Sequence, residues 1–526
     1  MMERCSNRIA NLAHYLTKNA ARWPKRPAII WEDRVWSWSE LDRRVSALCH
    51  ALQTDYGISK GDSLLVQAQN SNQMVEIMLA AFRLGAVWVP CNFRQAPGET
   101  AYAAQKSRAR LLLCDAVYSA QAHAVREAVP NLVGVISIGE SDFGASYEDL
   151  VSRHDGKALA NQPVDYNDPC WLFFTSGSTG RPKAVVLTHG QIGFVTVNYM
   201  ADLLPGTTEQ DASLVIAPLS HGAGLQLIAQ LNTGAAHVLL PQGGFSPAKA
   251  FELIEKHRVS NMFTVPTIVK RLVEDPSVDR YDHSSLRHVI YAGAPMYRED
   301  QKRALEKLGH VLVQYYGLGE VTGNITVLRP QDHHLEDGPN TRPGTCGTER
   351  MGIEVSIQDE EGNVLPPMNT GEVCVTGPAV CAGYLEDDAA NAKSFRNGWF
   401  RTGDIGHMDE ERYFYLTGRA SDMYISGGSN VYPREVEEVL LSHDAISEVA
   451  ILGIPDPQWG EVGLAVCVLE SGHHADDQVL SEFLADKVTR YKMPARYLFI
   501  DEMPKSAYGK ITKKLVREHL AEKGLL

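Results

Sequence analysis

The stretch Trp171-Leu172-Phe173-Phe174-Thr175-Ser176-Gly177-Ser178-Thr179-Gly180-Arg181-Pro182-Lys183-Ala184-Val185-Val186-Leu187 decides how the chain is read. Its middle sets four hydroxyls, two glycines and two cations, Arg181 and Lys183, between two apolar runs. Short apolar runs around a Gly/Ser/Thr cluster read as buried strands joined by a loop. Glycines let backbone N–H groups come close to an anion, hydroxyls donate to its oxygens, and the Lys183 ammonium neutralises its charge. Those are the means of holding polyphosphate. By composition alone the same loop also fits a flexible surface connector.

The loop is not that of a P-loop NTPase, in which Gly-Lys is followed by Ser or Thr and opens a helix. Here Arg181-Pro182 separates Gly180 from Lys183, and strand-like residues follow. The other Gly-Lys pairs fail as well: Gly156-Lys157 leads to Ala158, and Gly509-Lys510 to Ile511.

A chain of 526 residues is too long for one ordinary domain, so two or three cores are expected. Hydrophobic content of 44% with 22% charged residues is that of a globular protein. A formal net charge of -14 gives no general attraction to nucleic acid or anionic lipid. Nine cysteines without a Cys-x-x-Cys pair or zinc-ligand spacing point to reduced thiols in a cytoplasmic protein. The start, Met1-Met2-Glu3-Arg4-Cys5-Ser6-Asn7, has no signal-peptide core, and Lys523-Gly524-Leu525-Leu526 is no peroxisomal tripeptide. No apolar run approaches the roughly 18 residues of a membrane span.

Outward from the loop, helical patterns alternate with short apolar strands, as in a layered α/β domain. Helices are predicted over 72–84 and 247–256, and strands over 63–67, 111–114, 133–138 and 288–292. After Asp422 the pattern restarts at smaller scale. Pro433 stands at a first helical position, with Glu435, Glu437 and Glu438 near the positive end of the dipole. Strands over 449–454 and 464–469, a helix over 479–488 and a strand over 497–500 complete a compact α+β unit. The expectation is a large, multi-subdomain α/β domain over 1–421 and a small, mobile α+β domain over 422–526. Glycine and charge gather at the join in Gly418, Arg419, Asp422, Gly427 and Gly428, which reads as a hinge or a static linker.

A series of motifs in one order resembles the acyl-adenylate-forming superfamily of acyl-CoA synthetases, luciferases and adenylation domains. It runs from Trp38-Ser39-Glu40-Leu41 through Leu84-Gly85-Ala86-Val87-Trp88-Val89-Pro90, the hydroxyl-rich loop, Pro218-Leu219-Ser220-His221-Gly222 and Ala292-Gly293-Ala294-Pro295. Tyr316-Gly317-Leu318-Gly319-Glu320, Phe400-Arg401-Thr402-Gly403-Asp404, Gly418-Arg419-Ala420-Ser421-Asp422, Gly427-Gly428-Ser429-Asn430-Val431 and Pro504-Lys505-Ser506-Ala507-Tyr508-Gly509-Lys510-Ile511 follow.

The resemblance implies an AMP-forming acyl-CoA synthetase that uses ATP, Mg2+ and coenzyme A. It implies that Thr175, Ser176, Gly177, Ser178, Thr179 and Lys183 hold the β- and γ-phosphates, and that Glu320 coordinates Mg2+. Asp404 would accept from the ribose hydroxyls and Arg419 would contact ribose or phosphate. Gly293, Ala294, Pro295, Tyr316 and Gly317 would frame the nucleotide. Lys510 would bridge the incoming carboxylate and the α-phosphate. Asp422 would be the hinge, and Gly427 and Gly428 would line the pantetheine tunnel. Beside these stand plainer readings: a solvated Glu320, a turn Asp404, a linker ion pair for Arg419, a core His221 and a surface Asn324.

Two departures from the family pattern bear on the site. Gly319 stands where a Thr usually precedes the metal-binding Glu, so either Thr322 or water is expected to replace that hydroxyl or ATP is expected to bind more weakly, and Gly319→Thr is expected to be tolerated. Tyr315 stands where deep-pocketed relatives often have Gly. A small-to-medium or compact cyclic carboxylic acid is therefore expected, with Tyr315, Tyr291, His221 and Asn324 beside it. The runner-up readings are acyl transfer to a carrier-protein phosphopantetheine and, from another class, a non-catalytic nucleotide-binding regulator. The chain has no carrier-like Gly-x-Asp-Ser motif and ends soon after Lys510, which favours a free-standing ligase, monomer or homodimer.

Overall fold

The computed structural model describes residues 9–175, 182–241, 244–294, 296–338, 341–426, 429–506 and 511–526. The two apolar runs of the deciding stretch form strands Pro169–Thr175 and Lys183–Thr188, which pair antiparallel with Thr175 opposite Lys183. This hairpin is one edge of a seven-stranded sheet. Val87–Pro90, Ser63–Gln67, Leu111–Asp115, Gly134–Ile138 and Ala145–Ser146 continue the sheet in parallel.

A second sheet of nine strands has a parallel centre. It is built from Leu312–Tyr316, His288–Tyr291, Asn261–Thr264, Ala212–Val215, Ala236–Leu239 and Pro27–Trp31, with antiparallel strands at both edges. Helices Asn72–Leu84, His189–Asp202 and Gly222–Leu231 belong to one apolar cluster with Leu64, Trp88 and Trp171 of the first sheet and Ile290, Val313 and Tyr315 of the second. Trp88 and Trp171 meet edge to face across neighbouring strands at 4.5 Å. Helices stacked against open parallel sheets are the usual way such strands bury both faces.

The predicted helix over 72–84 is found as Asn72–Leu84, and the residues at its ends explain its limits. Ser71 accepts from Met74 N at 3.1 Å, and Gly85 closes the last turn in the left-handed region with φ 66°. Ser71→Ala is expected to cost about 1 kcal/mol of stability, measured as a lower midpoint of chemical unfolding.

An antiparallel sheet follows, made of Glu354–Gln358, Gly371–Thr376, Trp399–Met408, Phe395–Arg396 and Phe414–Arg419. The C-terminal region has its own sheet, in which Ile446–Asp456 and Gly460–Leu469 pair antiparallel and Arg496–Phe499 lies parallel to the latter. Helices Pro433–Leu440 and Asp477–Ala485 lie in an apolar cluster with one face of this sheet, and Lys513–Glu522 with the other. A hairpin of Tyr424–Ser426 and Ser429–Val431 was not expected, being too short and polar to show a period. Among the described residues no helix is long and apolar enough to cross a membrane. The eight described cysteines are all free and buried.

Candidate active site

The candidate residues gather beyond the carboxyl ends of the parallel strands, where open α/β sheets present their loops. Thr175 ends its strand, Tyr316 ends Leu312–Tyr316, and Gly293 and Ala294 follow His288–Tyr291 and are exposed. His221 caps the start of helix Gly222–Leu231. Ser176, Gly177, Ser178, Thr179, Pro295, Gly427, Gly428 and Lys510 lie outside the described residues.

Glu320 sits in the short turn Gly319–Val321 and is only 7% exposed. Its Oε1 accepts from Tyr384 Oη at 3.0 Å and from Thr175 Oγ1 at 3.3 Å. Lys183 Nζ lies 4.7 Å from the centre of the Tyr384 ring. Thr175, Lys183 and Glu320 are thus brought together as expected, and Tyr384 is the member that the sequence did not reveal. Its segment runs along the hairpin: Val186 N donates to Gly383 O at 2.9 Å and Leu385 N to Ala184 O at 2.8 Å. Burial first, and then the Glu320 carboxylate, push the Tyr384 phenol up, so it remains a donor at neutral pH. The only available signal was Gly383-Tyr384, an aromatic after glycine in a polar stretch, with no spacing that ties it to Glu320.

A second buried group lies on the other side of the loop that carries Glu320. Asp404 is 3% exposed; Tyr316 Oη donates to its Oδ2 at 2.7 Å, and Arg419 Nε lies 3.0 Å from its Oδ1. Asp404 and Arg419 are cross-strand partners, which places the pair geometrically. Burial raises the Asp404 carboxyl and the Arg419 guanidinium opposes it. Phe414 packs against the Tyr316 ring at 5.0 Å. Gly317 joins the two groups by passing close to Gly323: a Cβ on Gly317 would lie 2.4 Å from the Gly323 Cα, so only glycine fits.

The acyl side departs from expectation at three positions. A Cβ on Gly319 would lie 2.6 Å from the Phe173 ring and 2.9 Å from Thr175 Cγ2. The tolerance expected for Gly319→Thr is therefore withdrawn, because Phe173 fills that space. The Thr322 hydroxyl does not replace the missing donor either: it is fully buried and donates to Val321 O at 2.6 Å, inside its own turn. Tyr291 is not brought to the other acyl candidates. It belongs to the apolar cluster on the opposite face of the sheet from Tyr315, where its hydroxyl meets His333 Nε2 at 3.0 Å and accepts from Gln301 Nε2 at 3.2 Å.

His221 does lie beside this region, with its ring edge-on to Phe173 at 5.1 Å and its Nδ1 2.8 Å from Ser220 Oγ. Tyr315 stacks on Phe263 at 5.9 Å, and Asn324 is fully buried nearby. Asp422 is half-buried and donates its N–H to Arg419 O at 3.1 Å. Lys513 ion-pairs with Glu437 and feels the Asp422 carboxylate, so charge converges on the expected hinge.

Among the described residues, no group of three or more His, Cys, Asp or Glu side chains is placed to hold a metal ion. A metal at Glu320 would take one protein carboxylate and complete its shell with phosphate oxygens and water, which is the habit of Mg2+. The residues therefore fit that ion.

Comparison with known proteins agrees with this geometry. The AMP-binding enzyme family matches residues 16–385, and the AMP-binding enzyme C-terminal domain matches residues 435–510. A feruloyl-CoA synthase from Amycolatopsis sp is 32% identical over 506 residues, covering 96% of this chain and 98% of that protein. An indoleacetate–CoA ligase from Aromatoleum aromaticum is 33% identical over 515 residues, covering 97% of this chain and 98% of that protein. The solved structure of an amide bond synthetase from Marinactinospora thermotolerans superposes with a TM-score of 0.86 at 28% identity, covering 97% of this chain and 99% of that one. With Thr175 and Lys183 paired across its hairpin, its buried Glu320 and its Asp404–Arg419 pair all set in that framework, the chain belongs to the AMP-binding enzyme family.

Proposed function

We propose that the chain is an AMP-forming acid:CoA ligase, with ATP, Mg2+ and coenzyme A as its reactants and cofactor. The observation that carries the reading is the meeting of Thr175, Lys183, Glu320 and Tyr384 at one end of a single loop and Tyr316, Asp404 and Arg419 at the other. One group is suited to polyphosphate and its metal, the other to a nucleoside.

A carboxylate is a poor electrophile, and attack of its oxygen on the α-phosphorus of ATP remedies this. A new P–O bond forms, the bond to pyrophosphate breaks, and an acyl-adenylate results. A thiolate then attacks the acyl carbon and AMP leaves. Two anions must meet in the first step, so cations and fixed donors are required where charge concentrates.

Thr175, Ser176, Gly177, Ser178, Thr179 and Lys183 are assigned to the leaving pyrophosphate, and Asp404 and Arg419 to the ribose. Tyr316, Gly293, Ala294 and Pro295 are assigned to adenine. Glu320 would hold Mg2+, which when bound neutralises phosphate charge, and Tyr384 orients that carboxylate. Lys510 is assigned to the reacting carboxylate and α-phosphate. Domains 1–421 and 422–526 would turn about Asp422 between the half-reactions, bringing Gly427 and Gly428 to the thiol. For the acid, Tyr315 and Phe263 favour a small-to-medium or compact cyclic substrate beside His221 and Asn324.

Pyrophosphate release over a panel of acids tests the reading, with CoA, an amine or a phosphopantetheinylated carrier protein as acceptor. Thioester formation on CoA supports it. Product only on the amine or the carrier reassigns the acceptor, as in an amide bond synthetase, and no release with any acid leaves a nucleotide-binding regulator. Glu320→Gln is expected to raise the Mg2+ concentration needed for half-maximal release about tenfold, by loss of one anionic oxygen ligand. A magnesium titration of the variant checks this.

A further inference from the structure

The acyl region ends in buried polar groups that are not fully satisfied by hydrogen bonds. A continuous line of contacts leads there from Glu320. Gly319 lies against Phe173 and Phe173 against His221. Gly222 lies against Phe263, and Phe263 stacks on Tyr315. Tyr315 lies edge-on to Tyr199 at 6.2 Å. The Arg350 guanidinium carbon then sits 4.8 Å from the Tyr199 ring centre and 6.0 Å from that of Tyr315. Arg350 N donates to Ile325 O at 3.0 Å, which puts Arg350 beside Asn324.

Arg350 is 1% exposed, and Asn324 and Tyr199 are 0% exposed. Neither amide atom of Asn324 has a hydrogen-bond partner, and no guanidinium nitrogen of Arg350 has one at close distance; the Tyr199 hydroxyl has only Tyr315 and Arg350 itself beside it. Folded proteins rarely leave buried polar atoms in that state, and several together mark a place made for something else. Asp202 does not resolve the matter. Its Oδ2 lies 3.7 Å from Arg350 Nε, beyond hydrogen-bond distance, and it already accepts from Met351 N at 2.9 Å and Asn198 Nδ2 at 3.2 Å. Its Oδ1 pairs with a second guanidinium, Arg329, at 3.4 Å. One carboxylate thus divides between two guanidinium groups, the partly exposed Arg329 and the buried Arg350, and leaves Arg350 without a close charge-assisted hydrogen bond.

The geometry points to a specificity site: Arg350, with Asn324 and Tyr199, receives a second carboxylate at the end of the substrate remote from the reacting one. The planar fork of a guanidinium matches a carboxylate in two parallel hydrogen bonds, and a methyl group in the same place leaves every donor unpaired. The inference rests on the acid:CoA ligase reading and gives its substrate a class, the dicarboxylic acids.

The test compares kcat/KM for pyrophosphate release with acids that differ only at the far end, such as 3-(4-carboxyphenyl)propanoate, its 4-acetyl counterpart and its 4-methyl counterpart. The wild type is expected to prefer the dicarboxylate over the methyl acid about 100-fold or more, since a site built for hydrogen bonding rejects the analogue without the group. Arg350→Met should lower that ratio about tenfold or more, and Asn324→Leu should lower it in the same direction if Arg350→Met proves unfolded. Release from the methyl acid without any preference, or a ratio unmoved by either variant, overturns the inference and leaves the ligase reading in place. Preference for the acetyl acid also overturns it. No release from any acid removes both.

Discussion

Lys510→Ala is expected to slow pyrophosphate release about 10²–10³-fold, the loss seen when one preorganised donor to a developing anion is removed. In the proposed first half-reaction two negative groups approach each other, and an ammonium assigned to the place between them would lower the barrier as charge builds up. Neighbouring lysines provide the control. Lys505 pairs with Glu448 at 2.5 Å, Lys513 with Glu437, and Lys514 with Glu518 at 3.7 Å. Lys514 is well exposed, and Lys514→Ala is expected to leave the rate within twofold or so, as for other surface substitutions. Single-turnover release with saturating acid and MgATP separates the two variants. A Lys510→Ala rate equal to the wild type sinks the assignment.

Gly319→Thr is expected to reduce kcat/KM for adenylation about 100-fold, because misplacing a reacting constellation by an ångström has that scale of effect. The new Cβ meets the Phe173 ring at 2.6 Å and the Thr175 methyl at 2.9 Å, and Thr175 in turn donates to Glu320. Relief of the clash at Thr175 moves the first residue of the loop assigned to pyrophosphate. Relief at Phe173 moves a ring that touches His221. The double variant Gly319→Thr with Phe173→Ala is therefore expected to recover a large part of the loss, whereas Phe173→Ala alone is mildly impaired. Equal rates for Gly319→Thr and the wild type, or no recovery in the pair, would show that Phe173 does not occupy the place of the absent hydroxyl side chain.

Much of the site was legible because its members stand in short motifs. Thr175 and Lys183 flank one loop, Tyr316 and Glu320 share another, and Asp404 and Arg419 each follow a glycine pattern. The strand over 63–67 and the helix over 72–84 were legible for a different reason, an apolar run in the first and a serine and a glycine at the ends of the second. Tyr384 was not legible, since its bond to Glu320 crosses from one sheet system to another and leaves no periodic trace. The side on which Tyr291 lies was misjudged because neighbouring strands alternate their faces. Register across the sheet, in which Tyr291 pairs with Gln314 and not with Tyr315, decides it. Phe173 read as a core residue, and only the space it denies to Gly319 shows its second part. Arg350 looked like one cation among many, and its burial without close hydrogen bonds emerges only in three dimensions.

The bonds that fix Glu320 also bear on how the molecule is made. Thr175 and Tyr384 are separated from Glu320 by 145 and 64 positions along the chain, and both must be in place before the carboxylate is held. Contacts of such long range close late, after local helices and hairpins have formed. A nascent polypeptide emerging from the ribosome therefore exposes the strands that carry Thr175 and Lys183 well before the anchoring phenol has been synthesised. The Glu320 carboxylate is thereby left unanchored until nearly three-quarters of the protein exists, roughly speaking, and a chain that has not reached Lys510 is not equipped for the turnover proposed for it.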